Sequence, residues 1–163
     1  MMQAITMFED WLAINRLLMT YAELIDSGRF AEAAAMFENA TYRLELAGRP
    51  QIATYRGTAH VQEFFAGTRL YSDGTPRTKH VITNVIIELD GDRASSRCYV
   101  TVFQQTRVLP LQPIASGRYV DSFERAGREW RFADRLITGF LLGDRSQHVL
   151  WQADPPGGGA SRG

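Results

Sequence analysis

The order of hydrophobic patterns along this sequence predicts one α+β domain, with helices at the start and a sheet afterwards. Over roughly the first quarter of the chain, apolar side chains recur at steps of three and four, which is typical of helices packed by one face. From His80 onward the pattern alternates with a period of two, which indicates strands. We therefore expect a strongly curved, mostly antiparallel sheet wrapped around N-terminal helices into a cone, with a central apolar pocket.

Two helices are predicted before the sheet. The first carries a broad apolar stripe formed by Phe8, Leu12, Ile14, Leu17, Leu18, Tyr21, Leu24 and Ile25. It should end near residues 26–28, because a glycine such as Gly28 can adopt the left-handed conformation that terminates helices at little cost. An alanine-rich second helix is expected from Arg29 to about Glu38.

A short hairpin and a third helix are predicted next. Residues 41–46 and 51–55 have the pattern of strands, and residues 47–50 contain the glycine and proline of a turn. The third helix is predicted to start at Gly57-Thr58 with Thr58 as its N-cap. Its buried side is expected to carry Val61, Phe64 and Phe65. The polar loop that follows, residues 68–77, is of the kind that often forms the rim of a pocket.

The remaining strands are predicted at residues 80–89, 94–107, 114–125 and 129–138. Glycine-containing hairpin turns at residues 90–92 and 126–128 join two pairs of them, and a longer connection with two prolines joins the other pair. We assign residues 1–152 to the domain. Residues 153–163, rich in proline and glycine, are expected to be a flexible tail.

Composition and residue spacing argue against several classes of function. Lys plus Arg and Asp plus Glu both total 18, so no basic surplus is available for nucleic acid. Cys98 is the only cysteine, which rules out an internal disulfide. We find neither the pattern of a signal peptide nor the ~20 apolar residues of a membrane span, and we expect a cytoplasmic protein without a membrane partner. His60, His80 and His148 have no metal-binding spacing, so no metal is expected.

Four segments in this order resemble the SnoaL-like branch of the nuclear-transport-factor-2-like superfamily. They are YAELIDSGRF at residues 21–30 with the helix up to Phe37, the GT of residues 57–58 leading to Phe64-Phe65, TKHVITN at residues 78–84, and GRYVDSFE at residues 117–124 followed by WRF. The resemblance covers about residues 8–142. It implies the cone fold and its central pocket.

Within that superfamily the chain resembles scytalone dehydratase, hexachlorocyclohexane dehydrochlorinase and bile-acid 7α-dehydratase. These enzymes carry an aspartate at the end of the first helix and a histidine at the start of the long strand, where this chain has Asp26 and His80. The resemblance implies that His80 takes a substrate proton and that Asp26 orients the ring. It also implies supporting roles for Tyr21 and Arg135. The chain departs from these enzymes at two positions. Tyr21 stands where the dehydrochlorinase has a lysine. Scytalone dehydratase has a second histidine on the next strand, and the matching position in this chain is approximately that of Cys98.

Each of these residues also has a structural interpretation. His80 leads an apolar strand and would lie either at the rim of the sheet or inside the cone, where a histidine is suited to general base catalysis near neutral pH. Asp26 is compatible with an ordinary helix end, although an acid there opposes the helix dipole. Tyr21 is compatible with a place in the core. Arg135 would instead form an ion pair with Asp121 or Asp134.

Strand alternation and the family pattern predict the lining of the pocket. The expected substrate-binding residues are Tyr42, Phe65, Cys98, Val100, Val102 and Tyr119. A nucleophilic role for Cys98 is not expected, since no activating partner is evident. His60 and His148 are predicted to be surface residues. Tyr99, Thr101 and Phe103 should point to the outer face of the sheet, where they predict a homodimer or higher homo-oligomer.

The sequence therefore predicts a lyase or isomerase that needs no cofactor. It would abstract a proton next to a carbonyl or next to a carbon that bears a leaving group. The expected substrate is a small, mostly apolar, cyclic molecule of steroid, terpenoid, polyketide or aromatic type. Two alternatives remain: a non-catalytic subunit similar to the β subunit of aromatic-ring dioxygenases, with side chains filling the cone, and a small-molecule carrier.

Overall fold

A computed structural model of the chain describes residues 2–45 and 52–150. The predicted turn at residues 47–50 and the predicted tail at residues 153–163 lie outside these ranges. The described residues form an α+β fold in which three helices cover one face of a single curved sheet, as the sequence predicts. No helix within the described ranges is long and apolar enough to cross a bilayer.

The helices are α1 at Met2–Asp26, α2 at Phe30–Ala35 and α3 at Gly57–Phe65. Helix α1 ends where the sequence predicts. Helix α2 is shorter than predicted, because the N–H groups of Phe37 and Glu38 donate to carbonyls only three residues earlier and continue the chain as tight turns.

The prediction of Thr58 as the N-cap of α3 is wrong. The helix already begins at Gly57, and the residue before it, Arg56, makes no capping hydrogen bond with its side chain. Gly57 has φ +70°, a conformation that glycine adopts without steric cost, and this turns the chain directly from a strand into the helix. Of the three predicted buried residues, Val61 and Phe65 are buried and Phe64 is partly exposed.

Six strands of the described residues form the sheet: β1 at Thr41–Glu45, β2 at Ile52–Arg56, β3 at Thr78–Asp90, β4 at Arg93–Gln104, β5 at Gln112–Ala126 and β6 at Glu129–Leu142. Their order is β2-β1-β6-β5-β4-β3. All neighbours are antiparallel except β1 and β6, which are parallel. The last four strands therefore form the predicted meander, and the short N-terminal hairpin extends it at the β6 edge.

Register shifts in the long strands account for the curvature. The β3–β4 ladder shifts between Thr83 and Ile86, where Asn84 has φ +55°. The β5–β6 ladder shifts around Gly117, where an added Cβ would come within 3.0 Å of the Thr138 carbonyl oxygen. Extra residues of this kind bend a strand and increase its twist. The long strands thus curl around the helices.

The core lies between the helices and the inner face of the sheet, which we define as the face toward the helices. Strand β4 shows the alternation clearly: Cys98 and Val100 are buried inside, whereas Tyr99 between them is 46 % exposed outside. Helix α1 packs against both β3 and β6. This packing brings the C-terminal end of α1 next to the first residues of β3, where the predicted site should lie.

Candidate active site

Asp26 is the last residue of α1, and its position depends on the turn that follows. The N–H of Gly28 donates to the Ile25 carbonyl over 3.0 Å, and the N–H of Arg29 donates to the Leu24 carbonyl over 2.9 Å. Gly28 itself has φ +72°. These are the bonds of a glycine-terminated helix end. The carboxylate therefore projects from a fixed point toward β3.

The side chains of Asp26 and His80 meet, in a contact that we call the Asp26–His80 pair. Asp26 Oδ1 lies 2.6 Å from His80 Nδ1, and Asp26 Oδ2 accepts the backbone N–H of His80 over 2.8 Å. The Thr78 hydroxyl donates to Oδ1 over 2.7 Å. The two side chains are only 10 % and 9 % exposed. One carboxylate thus holds both the ring and the backbone of the histidine.

The environment of Asp26 keeps it ionised. Burial raises the pKa of this carboxyl, but the hydrogen bonds and charge of His80, together with the Thr78 hydroxyl, outweigh burial and hold the pKa below its ordinary value. An ionised carboxylate only accepts hydrogen bonds, so the proton of the neutral imidazole belongs on Nδ1. Nε2 then carries the free lone pair. This is the tautomer that a general base requires.

Thr78 is a site residue that the sequence interpretation missed. Its side chain is 2 % exposed and shares the inner face with His80, two residues further along β3. The signal was present in the segment TKH, because residues two apart in a strand point to the same side. Directly opposite His80 on β4 lies Val102, a predicted substrate-binding residue that is half-buried.

Tyr21 and Arg135 lie deeper, inside the core. The Tyr21 hydroxyl lies 3.1 Å from that of Tyr42. The Arg135 guanidinium forms a two-bond ion pair with Asp121, at 2.8 and 2.7 Å, and neither side chain is exposed. It also lies over the rings of Tyr21 and Tyr119, at 4.3 and 4.1 Å from their centroids. Of the two predicted ion-pair partners, the structure selects Asp121.

Charge and burial define the state of these inner groups. Burial alone would lower the pKa of Arg135, but Asp121 outweighs it and raises that pKa, so the guanidinium is always charged. Burial raises the pKa of Tyr21, and raises those of Tyr42 and Tyr119 far more, so all three phenols are neutral. Arg135 Nη1 is buried without a hydrogen-bond partner among the described residues.

The other predicted lining residues are packed together. Tyr42, Phe65, Cys98, Val100 and Tyr119 are each between 2 % and 4 % exposed and belong to one buried cluster. The rings of Tyr42 and Phe65 meet edge to face with centroids 5.6 Å apart. Burial raises the pKa of the Cys98 thiol to about 11, which makes it a poor nucleophile. In this structure the aromatic side chains fill the middle of the cone.

His148, which the sequence predicts to be a surface residue, is half-buried. Its ring nitrogen Nδ1 is buried and has no hydrogen-bond partner within residues 2–45 and 52–150. Burial lowers the pKa of this histidine to about 4, and the nearby charges of His80 and Arg145 act in the same direction. No local sequence signal marked this position, because the segment after β6 reaches the Asp26–His80 pair only through the tertiary fold. His60, by contrast, is exposed as predicted.

Within the described ranges, no three His, Cys, Asp or Glu side chains come together in an arrangement that would hold a metal ion. The site combines an oriented imidazole, an ionised carboxylate and a hydroxyl that donates to this carboxylate, a set of groups suited to proton transfer.

The curved sheet wrapped around N-terminal helices defines a nuclear-transport-factor-2-like protein. Residues 6–136 match the family model described as the SnoaL-like domain, which is most of the chain. The protein belongs to the SnoaL-like family. None of the curated proteins matches the sequence significantly.

Solved structures share the fold at low sequence identity. A nuclear-transport-factor-2-like protein from Novosphingobium aromaticivorans is 24 % identical with a TM-score of 0.69, over 83 % of this chain and 84 % of its own. A candidate scytalone dehydratase from that organism is 21 % identical with a TM-score of 0.65, over 86 % and 92 %. The β subunit of a candidate aromatic-ring-hydroxylating dioxygenase, also from that organism, is 18 % identical with a TM-score of 0.67, over 89 % and 98 %.

Proposed function

We propose that the protein is a lyase or isomerase of the dehydratase type that needs no cofactor and moves protons with the Asp26–His80 pair. The observation that carries the proposal is the 2.6 Å contact between Asp26 Oδ1 and His80 Nδ1, with both side chains about nine-tenths buried. A histidine at the rim of the sheet would face water, and a carboxylate that only ended a helix would have no need of three donors from β3. The similarity to a candidate scytalone dehydratase supports the same reaction class.

The proposed reaction begins at His80 Nε2. This nitrogen takes a proton from a carbon next to a carbonyl. The electron pair of the broken C–H bond forms a C=C bond, and the π pair of the carbonyl moves onto its oxygen. Asp26 stabilises the imidazolium that forms. The histidine then returns the proton, either to another carbon, which completes an isomerisation, or to a departing hydroxyl, which leaves as water. General acid–base catalysis of this kind supplies about 10²–10⁴-fold, and positioning in a dry site supplies the rest.

Supporting roles are proposed for two inner residues. Tyr21 would donate from its neutral phenol, and Arg135 would donate from Nη1, to negative charge that develops on the substrate oxygen. Both lie behind the aromatic cluster, so a substrate reaches them only if those rings move aside. The apolar character of that cluster favours a mostly apolar, cyclic substrate.

A proton-exchange assay tests the proposal with simple ketones in place of the natural substrate. A panel of bicyclic and steroidal ketones is incubated with the protein in D₂O, and exchange of the C–H bonds next to the carbonyl is followed by NMR. We expect exchange of at least one ketone above the buffer rate. His80→Ala should reduce the enzymatic rate at least about 10²-fold, and Asp26→Asn should reduce it by a similar or smaller factor.

His60→Ala is the matched control, since it removes an exposed histidine from α3. It should leave the exchange rate unchanged. Circular dichroism of each variant confirms that the fold is intact. An exchange rate that is the same in wild type, His80→Ala and Asp26→Asn would overturn the proposed mechanism.

One observation favours a second candidate, a non-catalytic subunit. The middle of the cone is filled by side chains, as expected if the outer surfaces make the functional contacts. The similarity to a dioxygenase β subunit supports the same interpretation. A subunit of this kind would show no exchange with any ketone and would keep its partner contacts after His80→Ala. A carrier would bind a ligand equally well with and without His80.

A further inference from the structure

The segment after β6 is fixed across the loop that joins α3 to β3. The N–H of Leu150 donates to the Gly67 carbonyl over 2.9 Å, and the N–H of Arg69 donates to the His148 carbonyl over 2.8 Å. The Tyr71 hydroxyl donates to the Gln147 carbonyl over 2.7 Å. These bonds between the loop and the segment hold His148 in place. The position of His148 is therefore fixed by hydrogen bonds between the loop and the segment after β6.

The segment is also bound to the strands that carry the Asp26–His80 pair. Gln104, at the end of β4, is fully buried and lies opposite Thr78 in the β3–β4 register. Its Nε2 donates to the Pro76 carbonyl over 3.0 Å and to the Gln147 carbonyl over 3.2 Å. Since Thr78 donates to Asp26, one chain of contacts links the pair to the residue beside His148.

Three buried polar atoms in this region have no hydrogen-bond partner among the described residues: His148 Nδ1, Gln104 Oε1 and Arg69 Nε. A buried polar atom left unpaired destabilises a folded protein, and most buried polar atoms are therefore hydrogen-bonded. Together they offer one acceptor, one donor and an imidazole. These are suited to a ligand oxygen that accepts from the donors, and an enol or phenol hydroxyl would also donate to the Gln104 carbonyl oxygen.

The charged and titratable groups that face His148 are His80 of β3, Asp26 of α1, and Arg145 and Arg69 of the surrounding loops. The charge of Arg145, and that of His80 once it is protonated, disfavour a positive charge on His148, and only Asp26 favours it. His148 is therefore a neutral imidazole at any pH near 7. A neutral imidazole is a donor through one nitrogen and transfers no proton in that role.

We propose that His148 is a second histidine of the site, whose Nδ1–H binds the carbonyl or enol oxygen of the substrate while His80 attacks the neighbouring C–H bond. This inference deepens the proposed function and, for its catalytic part, rests on it. As the carbonyl π pair moves onto the oxygen, the hydrogen bond from His148 strengthens, and no proton or electron beyond those already named is transferred. Gln104 and Arg69 complete the polar wall beside it.

Binding of a phenol tests the inference, because a phenol is a stable analogue of an enol. With ¹⁵N-labelled histidine, titration with 2-naphthol should move the Nδ1 resonance of His148 in the wild-type protein. His148→Ala should weaken 2-naphthol binding about tenfold, the value of one hydrogen bond to a polar ligand. His148→Asn, whose amide N–H lies near the position of Nδ1, should recover most of the affinity. His60→Ala should change nothing.

The experiments distinguish failure of the proposed reaction from failure of the assignment of His148 as an oxygen-binding residue. If 2-naphthol binding depends on His148 but no ketone exchanges in the wild type, the proposed reaction falls and the assignment of His148 stands. If exchange depends on His80, and His148→Ala alters neither exchange nor 2-naphthol binding, the assignment falls and the reaction stands. An unmoved His148 resonance at saturating 2-naphthol, or no saturable binding at all, also overturns the assignment. The wild-type titration keeps the test valid even if His148→Ala does not fold.

Discussion

At the scale of single residues, the site is defined by how each polar group is paired. Both carboxylate oxygens of Asp26 accept hydrogen bonds: one accepts from the His80 ring and from Thr78, and the other accepts from the His80 backbone N–H. Arg135 donates two hydrogen bonds, from Nε and Nη2, to the carboxylate of Asp121. His148 is the opposite case, a half-buried residue whose Nδ1 atom is buried and has no partner in the part of the chain that the structure describes. The difference separates residues whose polar atoms are paired within the fold from one whose ring nitrogen is not.

The half-buried imidazole of His148 should make the protein sensitive to acid. Its pKa falls from an ordinary 6.5 to about 4 in the folded state, so the unfolded chain binds the proton more readily. The stability it contributes is complete above pH 6.5 and is lost as the pH falls through the window down to about 4. Over that window the wild type should lose on the order of 2 kcal/mol more than His148→Asn, measured by urea unfolding. Equal losses in the two proteins would contradict this assignment of the pKa.

At the scale of elements, the end of α1 controls where Asp26 points. Gly28 combines φ +72° with a close approach to the polar loop: an added Cβ would lie 2.1 Å from the Gly74 carbonyl oxygen. Two separate costs therefore act at this position, one from the backbone conformation and one from the clash. Either would shift the helix end on which the carboxylate depends.

Gly28→Ala should destabilise the protein by roughly 2–4 kcal/mol in urea unfolding, since the conformational cost alone is about 1–2 kcal/mol. Gly91→Ala is the matched control: it has φ +58° in the β3–β4 turn, with nothing within 4 Å of the added Cβ. The control should show only the smaller, conformational cost. If the two variants lose the same stability, the contact with Gly74 contributes nothing. Gly28→Ala should also reduce the proposed exchange activity, because it displaces Asp26.

At the scale of the whole molecule, the outer face of the sheet carries exposed apolar side chains among charged ones such as Arg97 and Arg118. Val81, Ile86, Tyr99 and Val120, on three adjacent strands, are 40–46 % exposed and point away from the helices. The predicted outward direction of Tyr99 is confirmed. The homodimer inferred from this face stays a prediction. Burial of the face against a second copy would remove a large apolar patch from water.

Light scattering tests the dimer directly. The wild-type protein should have twice the mass of one chain, and Tyr99→Glu should shift it toward the monomer, because it places a charge in the centre of the proposed interface. Val108→Glu is the control: Val108 is 76 % exposed, but it lies in the β4–β5 loop. A monomeric wild type would contradict the prediction. So would dissociation by Val108→Glu as readily as by Tyr99→Glu.

Local patterns along the chain were sufficient for most of the fold. The period of the apolar residues placed the three helices and six strands of the described ranges, since the spacing of buried side chains depends on the element that carries them. Gly28 marked the end of α1 because a left-handed residue is a local requirement. The resemblance to a family brought Asp26 and His80 forward as partners, and the structure places them 2.6 Å apart.

Only the tertiary structure decided the rest, because those features depend on side chains far apart in the sequence. The choice of Asp121 over Asp134 as the partner of Arg135 is set by the β5–β6 register, in which Asp121 lies directly opposite Arg135. The packing that fills the cone arises from rings on two helices and several strands. His148 carries no local signal and gains its environment only when the segment after β6 folds over the loop before β3. The spacing of apolar residues along the sequence determines which face of a helix or strand is buried. The packing of these elements determines which side chains each buried group contacts.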